Sequence, residues 1–400
     1  MWFHAVSVGE VNLLAPVIER LHQQRPDSEI VISTTTETGY DLALQKYLGR
    51  FGCSSVFFFP FDFTWAIRNA LRRVRPNLIV LAELEIWPNF LKVAKNFRTV
   101  RTADDSSLPP KLAIINGRLS DASFRGYQKW KFLLRSSFAR LDFVAAQNQE
   151  YADRFLAMGC DPEVVVVTGS VKFDGVQTDH QNPATLSLAR LAEIKTDETV
   201  LLAGSTQIEE DLIAAAVYQQ LQTEFPQLRL ILAPRHPDRV PQLVRVLEEM
   251  GVPVIRRSSL KADFGFSSYA SSPQPVLIID VIGELSAWWG VADMAYVGGS
   301  LGSRGGQNMI EPAAYGIPVS FGPNTQNFRD VVANLLAADA ATVLGDQEQW
   351  RQFVRRNLTD PTWVGEIGSR AQAEVMRHHG ASERTVQRLL RLLVAQASSL

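Results

Sequence analysis

Cysteine is almost missing: there are two in 400 residues, Cys53 and Cys160, far apart and without metal-ligand spacing. So sparse a supply excludes a disulfide framework and suits a reducing compartment, with two buried thiols and neither placed as a nucleophile. Long hydrophobic runs are missing too. No apolar stretch approaches the length needed to cross a bilayer, and Met1 leads almost directly into a strand, so neither a transmembrane span nor a signal peptide is expected. Charge of one sign is not in excess; the formal net charge is −2, which gives no general attraction to nucleic acid. Nowhere do His, Cys, Asp and Glu gather at metal-binding spacing, so the chemistry is expected to run without a tightly held metal. No short-period repeat or low-complexity tract interrupts the chain.

What the chain does have is length and an ordinary globular composition, 46% hydrophobic and 20% charged over 400 residues. That is too much chain for one core, so two domains of nearly equal size are expected. Apolar runs rich in β-branched or aromatic residues recur at 2–6, 30–34, 56–59, 78–82, 112–116, 143–146 and 164–168. Amphipathic segments such as VNLLAPVIERLHQQ and YADRFLAMG lie between them. This alternation predicts parallel strands covered by helices on both faces. After a polar piece, VQTDHQNPATLSLA, the pattern restarts at 200–203, 228–233, 276–279, 294–297 and 319–321. The expected organisation is α/β: a Rossmann-like domain over 1–175, a linker over 176–197, a second Rossmann-like domain over 198–367 and a terminal helical stretch over 368–400. Two such domains facing one another would share an interdomain cleft lined by the loops that follow their strands.

Those loops hold the candidate residues. The longest motif is VGGSLGSRGGQNMIEPAAYGIPVSFGP, Val297 to Pro323, read as a strand end, a loop of small residues, a short helix opening near Asn308 and a second buried strand. Its glycines permit close backbone approach, and either free N–H groups where the loop enters the helix make a place for a phosphate or the loop is a glycine-rich connection that merely turns tightly. Glu311, one turn into that helix, is placed to accept hydrogen bonds from a ribose, which together suggests a nucleotide or a nucleotide-activated sugar. Ser7-Val8-Gly9-Glu10 follows the first strand. Glu10, in the first helical turn, is set either to take a proton from a substrate hydroxyl or merely to complement the helix dipole. Glu83 and Glu85 of ELEIWPN, two apart on an extended segment, face opposite ways, leaving one for the cleft. Arg118, Lys172 and Arg235 follow other strands and offer cations to a carboxylate or phosphate; Ser205 and Thr206 add hydroxyls.

In order along the chain, HAVSVGE, TTTETG, ELEIWPN, NGRLS, VTGSVKFD, APRHPDR, IGEL and GGSLGSRGGQNMIEPAAYGIPVSFGP resemble the motifs of the 3-deoxy-D-manno-octulosonic acid (Kdo) transferases. The resemblance covers nearly the whole chain. It implies the GT-B glycosyltransferase fold and an inverting, metal-independent transfer of Kdo from CMP-Kdo onto a lipid A precursor (lipid IVA) in lipopolysaccharide biosynthesis. CMP-Kdo would be the donor substrate, with no cofactor, and the enzyme would sit peripherally at the cytoplasmic face of the bacterial inner membrane. By the same resemblance Glu10 is the general base, and Glu83 and Lys172 stabilise the transition state. Pro234 and Arg235, then Ile282, Gly283 and Glu284, then Asn308, Met309, Ile310 and Glu311 would bind CMP.

The chain departs from the family pattern in places. It opens at Trp2 inside the first strand, where members usually carry an apolar anchor and a basic stretch first. Gln207 stands where a His is usual, Ala122 where an Arg commonly follows NGRLS, and RTADDSSLPPK looks like an insertion. Contact with lipid would then come from the surface. FTWAIRNALRRVRP sets Arg68, Arg72, Arg73 and Arg75 beside Trp65, and KWKFLLRSSFAR adds Lys129, Trp130, Lys131 and Arg135. Basic residues among aromatics suit an anionic membrane surface, or simply a solvated helix face. Two other readings stay open: another GT-B enzyme, such as a UDP-sugar transferase or epimerase, and a catalytically idle protein that holds the nucleotide sugar or the lipid.

Overall fold

The computed structural model describes residues 1–98, 108–260 and 274–397, so most of the apparent insertion RTADDSSLPPK lies outside the described residues. The chain divides into two compact units, Met1–Gly175 together with His378–Leu400, and Val176–Arg377.

In the first unit the apolar runs become β1 Trp2–His4, β2 Ile30–Thr34, β3 Cys53–Phe58, β4 Leu78–Ala82, β5 Lys111–Gly117, β6 Phe143–Ala146 and β7 Val165–Val167. They form a seven-stranded sheet in the order β3-β2-β1-β4-β5-β6-β7. Every pair is parallel, with Trp2 opposite Val31 on one side and Ile79 on the other. β2 and β4 are buried along their whole length, which is why they read as unbroken apolar runs rather than as alternation. Successive residues divide between two cores: Phe3, Val80, Ala113 and Ile115 pack on one face, and Trp2, Ile79, Leu81 and Ile114 on the other. From β1 the chain winds outward through β2 and β3, then returns to the opposite side of β1 as β4. Strand order therefore reverses between β1 and β4, the place where doubly wound sheets open a crevice beyond their carboxyl ends.

The second unit repeats the scheme with β8 Thr199–Thr206, β9 Leu228–Pro234, β10 Val254–Arg256, β11 Val276–Ile278, β12 Met294–Val297, β13 Val319–Phe321 and β14 Ala341–Val343. The parallel order is β10-β11-β9-β8-β12-β13-β14, and the reversal falls between β8 and β12. The two edge strands β10 and β14 were not expected; each is only partly buried and carries a polar residue, Arg256 or Thr342, so neither reads as an apolar run.

Two expected boundaries change. The piece read as a linker, 176–197, contains a helix, Pro183–Leu191, that belongs to the second unit. Its polar residues are structural: Asn182 Oδ1 accepts from Thr185 N–H at 3.0 Å, Thr185 Oγ1 donates to the Ala287 carbonyl at 3.0 Å, and His180 bridges the Gly290 and Tyr315 carbonyls at 2.8 Å each. The terminal stretch 368–400 is not one helix. Helix Pro361–His378 ends, Gly380 turns the chain at φ 81°, and helix Ala381–Ala397 follows. The last helix completes the first unit, burying Ala381, Val386 and Leu389 in its core. Its start is fastened by Asp174, which accepts from the Gly380 and Ser382 N–H groups, and by Arg384, which donates to the Thr168 carbonyl. Amphipathic spacing announces a helix but does not say which sheet it covers.

Candidate active site

At the reversal point of the first sheet, Glu10 follows β1 and Glu83 follows β4. Ser7 caps the helix Val8–Leu13, its Oγ accepting from Glu10 N–H at 3.4 Å, while Glu10 Oε2 accepts from Val6 N–H at 2.8 Å. The S-x-x-E spacing is that of a capping box, and it holds the carboxyl still. Burial pushes that carboxyl up to about 7; the Val6 N–H opposes the shift, and the charges of Glu85 and Glu83 add to it. Glu83 leaves β4 in a left-handed conformation at φ 51°. Its Oε1 lies 2.8 Å from Lys172 Nζ. The structure thus brings Glu10, Glu83 and Lys172 into one electrostatic group.

Asn116 ties this group together and was not singled out as a site residue. It is fully buried near the end of β5, at φ 53°. Its Nδ2 donates to Glu83 Oε1 at 3.4 Å, its Oδ1 accepts from Val171 N–H at 3.0 Å, and its carbonyl accepts from Gln147 Nε2 at 3.0 Å. One amide therefore fixes both the Glu83 carboxylate and the turn that presents Lys172. An Asn inside an apolar run, directly before Gly117, was the available signal. Glu85 belongs to the same charged group, since its charge acts on Glu10; it accepts from Trp87 Nε1 at 2.9 Å and stands 3.9 Å from the Nε2 of His4. Burial raises the Glu85 carboxyl and lowers the His4 imidazole to about 4, so His4 is neutral and stacks on Phe59 at 3.9 Å.

In the second unit, Ser205, Arg235, Gly283, Ser286, Trp289, Gln307, Asn308 and Glu311 line a pocket of about 280 Å³ beside the reversal between β8 and β12. Ser205 sits at φ 57° in a bulge, where the β8–β9 register shifts. Asn308 Nδ2 donates to Glu311 Oε1 at 2.9 Å, and burial raises the Glu311 carboxyl. Of the residues expected to bind CMP, Arg235, Gly283, Asn308 and Glu311 line this pocket. Met309 and Ile310 are buried, Ile282 is 86% exposed, and Pro234 ends β9. Glu284 does not line the pocket; it forms a two-pronged pair with Arg257 at 2.9 and 2.8 Å and accepts from Trp288 Nε1 at 3.2 Å.

The N–H groups expected to hold a phosphate lie where the glycine loop enters the helix near Asn308; at the start of the loop three N–H groups have a partner within the chain. The N–H groups of Gly299, Ser300 and Leu301 donate at 2.7, 2.9 and 3.0 Å to the buried carboxylate of Glu210. An acid ninety residues earlier in the chain gives no local sign of this in sequence. Gly298 is required here by close approach: a Cβ would fall 2.5 Å from Thr206 Cα and 2.8 Å from Glu210 Oε2.

Two parallel α/β domains, each with polar groups gathered at its reversal point, are the architecture of the GT-B class. UDP-GlcNAc 2-epimerase from Neisseria meningitidis, bound to UDP-GlcNAc, superposes with a TM-score of 0.59 at 13% identity, covering 98% of this chain and 100% of that one. The S. aureus MnaA–UDP co-structure gives 0.55 at 15%, covering 98% of this chain and 96% of that one. At such identity the likeness establishes the fold alone. The family described as 3-deoxy-D-manno-octulosonic-acid transferase (kdotransferase) matches residues 1–175. The 3-deoxy-D-manno-octulosonic acid transferases of Bordetella pertussis and Haemophilus influenzae are 31% and 30% identical over 398 residues, covering 97% and 98% of this chain and 86% of each relative. A bifunctional glycosyltransferase/methyltransferase of Fusobacterium nucleatum is 31% identical over 338 residues, 84% of this chain, and this chain spans 49% of its length. The chain belongs to the 3-deoxy-D-manno-octulosonic acid transferase family of glycosyltransferases.

Proposed function

We propose that this chain transfers Kdo from CMP-Kdo onto a hydroxyl of a lipid A precursor, with inversion and without a resident metal or cofactor. The observation that carries the reading is Glu10, a fixed carboxyl at the reversal point of the first sheet whose proton affinity lies near neutrality, where a general base works best. Glu10 takes the proton of the acceptor hydroxyl, the hydroxyl oxygen forms the new bond to the anomeric carbon, and the bond from that carbon to the CMP phosphate breaks. The anomeric carbon gains oxocarbenium character as CMP departs, and Glu83 with Lys172 supplies fixed charges to meet that separation. Arg235, Asn308 and Glu311 hold the nucleotide in the second unit. Incubation with CMP-Kdo and tetraacylated lipid A precursor, with products resolved by mass, is expected to give the acceptor plus Kdo and free CMP. Recovery of unchanged acceptor would remove the reading.

The same proposal places the enzyme on the cytoplasmic face of the inner membrane. Among the described residues no helix is long and apolar enough to cross a membrane. Beside the edge strand β3, Phe57, Phe58, Trp65, Arg73 and Arg75 line a groove of about 870 Å³. Phe61, Phe63 and Trp65 stand 80, 60 and 72% exposed next to it, and Trp130, Phe132 and Leu133 are exposed on the second basic stretch. Apolar rings flanked by guanidinium groups support attachment to an anionic surface. Trp65→Ala with Arg73→Glu is expected to lower partitioning onto phosphatidylglycerol vesicles about tenfold or more, with little change on neutral vesicles. Equal sedimentation of variant and wild type would dismiss this surface.

A further inference from the structure

Glu210 is buried at the start of the helix Ile208–Leu221, directly after β8. Besides the three loop N–H groups, its carboxylate accepts from Gln207 N–H at 2.8 Å and Tyr296 OH at 3.0 Å, five hydrogen bonds in all. Successive backbone N–H groups converging on one oxygen pair make a nest for an anion, and here the chain supplies the anion itself. From that anchor the loop is closed by Gly306 N–H donating to the Gly299 carbonyl at 2.8 Å. Ser300 adds a second clamp, its Oγ accepting from Gly322 N–H at 2.7 Å and donating to the Val297 carbonyl at 2.7 Å. The next residues, Gln307 and Asn308, line the donor pocket together with Glu311.

We propose that Glu210 is a positioning residue for the nucleotide donor: its carboxylate fills the loop's anion nest, fixes Gln307 and Asn308 against the pocket, and leaves the donor phosphate to Arg235. This rests on the donor reading above. Gly298 then serves close packing against Glu210, since a Cβ there would fall 2.8 Å from its Oε2. Gln207, which departs from the family pattern, donates its N–H to the same carboxylate through backbone alone, so that a change of side chain there leaves this contact in place.

Glu210→Gln keeps the size but replaces one acceptor oxygen by an NH₂, facing at least two buried N–H donors with another donor. CMP affinity measured by calorimetry, and the donor KM in transfer, are expected to weaken at least about tenfold. Acceptor KM and the pH profile set by Glu10 should not move, whereas a general loss of structure would disturb all of them. In Glu210→Ala, formate is expected to restore part of the CMP affinity by reoccupying the nest. If these variants do not fold, Tyr296→Phe removes one donor to the carboxylate and is expected to weaken CMP about threefold with the acceptor KM unchanged. Wild-type protein that binds no CMP would defeat the donor reading and this inference together. CMP binding equal to wild type in the folded Glu210→Gln protein, or in Tyr296→Phe, would overturn this inference alone.

Discussion

Glu10→Gln is expected to slow transfer by about 10²–10⁴-fold, the usual contribution of a general base, while CMP affinity stays as in the wild type because the pocket proposed for the nucleotide belongs to the other unit. The amide keeps an oxygen for the Val6 N–H, so the helix start survives and the loss is chemical. In the wild type, kcat/KM should rise with pH through an inflection near the Glu10 pKa of about 7; the variant should lack that limb. Stability moves in the opposite sense. A carboxyl raised from 4.5 to about 7 in the folded state binds its proton more tightly folded than unfolded, so its contribution is full below 4.5 and is lost as pH rises through 7. Above that pH the ionised group is a burden, and Glu10→Gln should melt at a higher temperature than wild type at pH 8. A variant with wild-type turnover would take Glu10 out of the mechanism.

Asn116→Ala is expected to cost about 2–4 kcal/mol and to lower the melting temperature of the first unit by about 5–15 °C. The Val171 N–H loses its acceptor in a fully buried position, worth about 1–3 kcal/mol, and alanine at φ 53° adds about 1 kcal/mol of backbone strain. Turnover should fall further than the folded fraction does, since Glu83 loses a donor and the turn carrying Lys172 is released. Asn116→Asp keeps the acceptor for Val171 N–H and tolerates the left-handed backbone, but it sets a second carboxylate against Glu83 in a buried position, so it should recover at most part of the stability and not the rate. Thermal melts and single-turnover rates on both variants check this. An alanine variant with wild-type melting and rate would show that Asn116 merely fills space.

Much of the fold was legible because buried parallel strands have to be apolar along their whole length. β2, β4, β6, β12 and β13 coincide with the apolar runs, and most site residues follow strands, where polar side chains interrupt those runs. What escaped was set by partners distant in sequence. Glu210 meets the glycine loop only after the sheet orders β8 beside β12. Glu284, read as a nucleotide contact, finds Arg257 across two strand connections. Asn116 was passed over because its role needs β4 on one side and the Val171 turn on the other. The linker was misread because polarity marks both solvent exposure and side chains occupied in capping and bridging, as Asn182 and His180 are.

The helix Ala381–Ala397 has a consequence for how the protein is made. Translation delivers the strands of the first unit early, yet the helix Ala15–Gln24 and strand β5 receive their last covering element only when residues 381–397 emerge. The second unit, one uninterrupted span, can finish while the first still shows bare apolar surface to solvent and to chaperones. The half of the molecule that leaves the ribosome first is therefore the half that matures last.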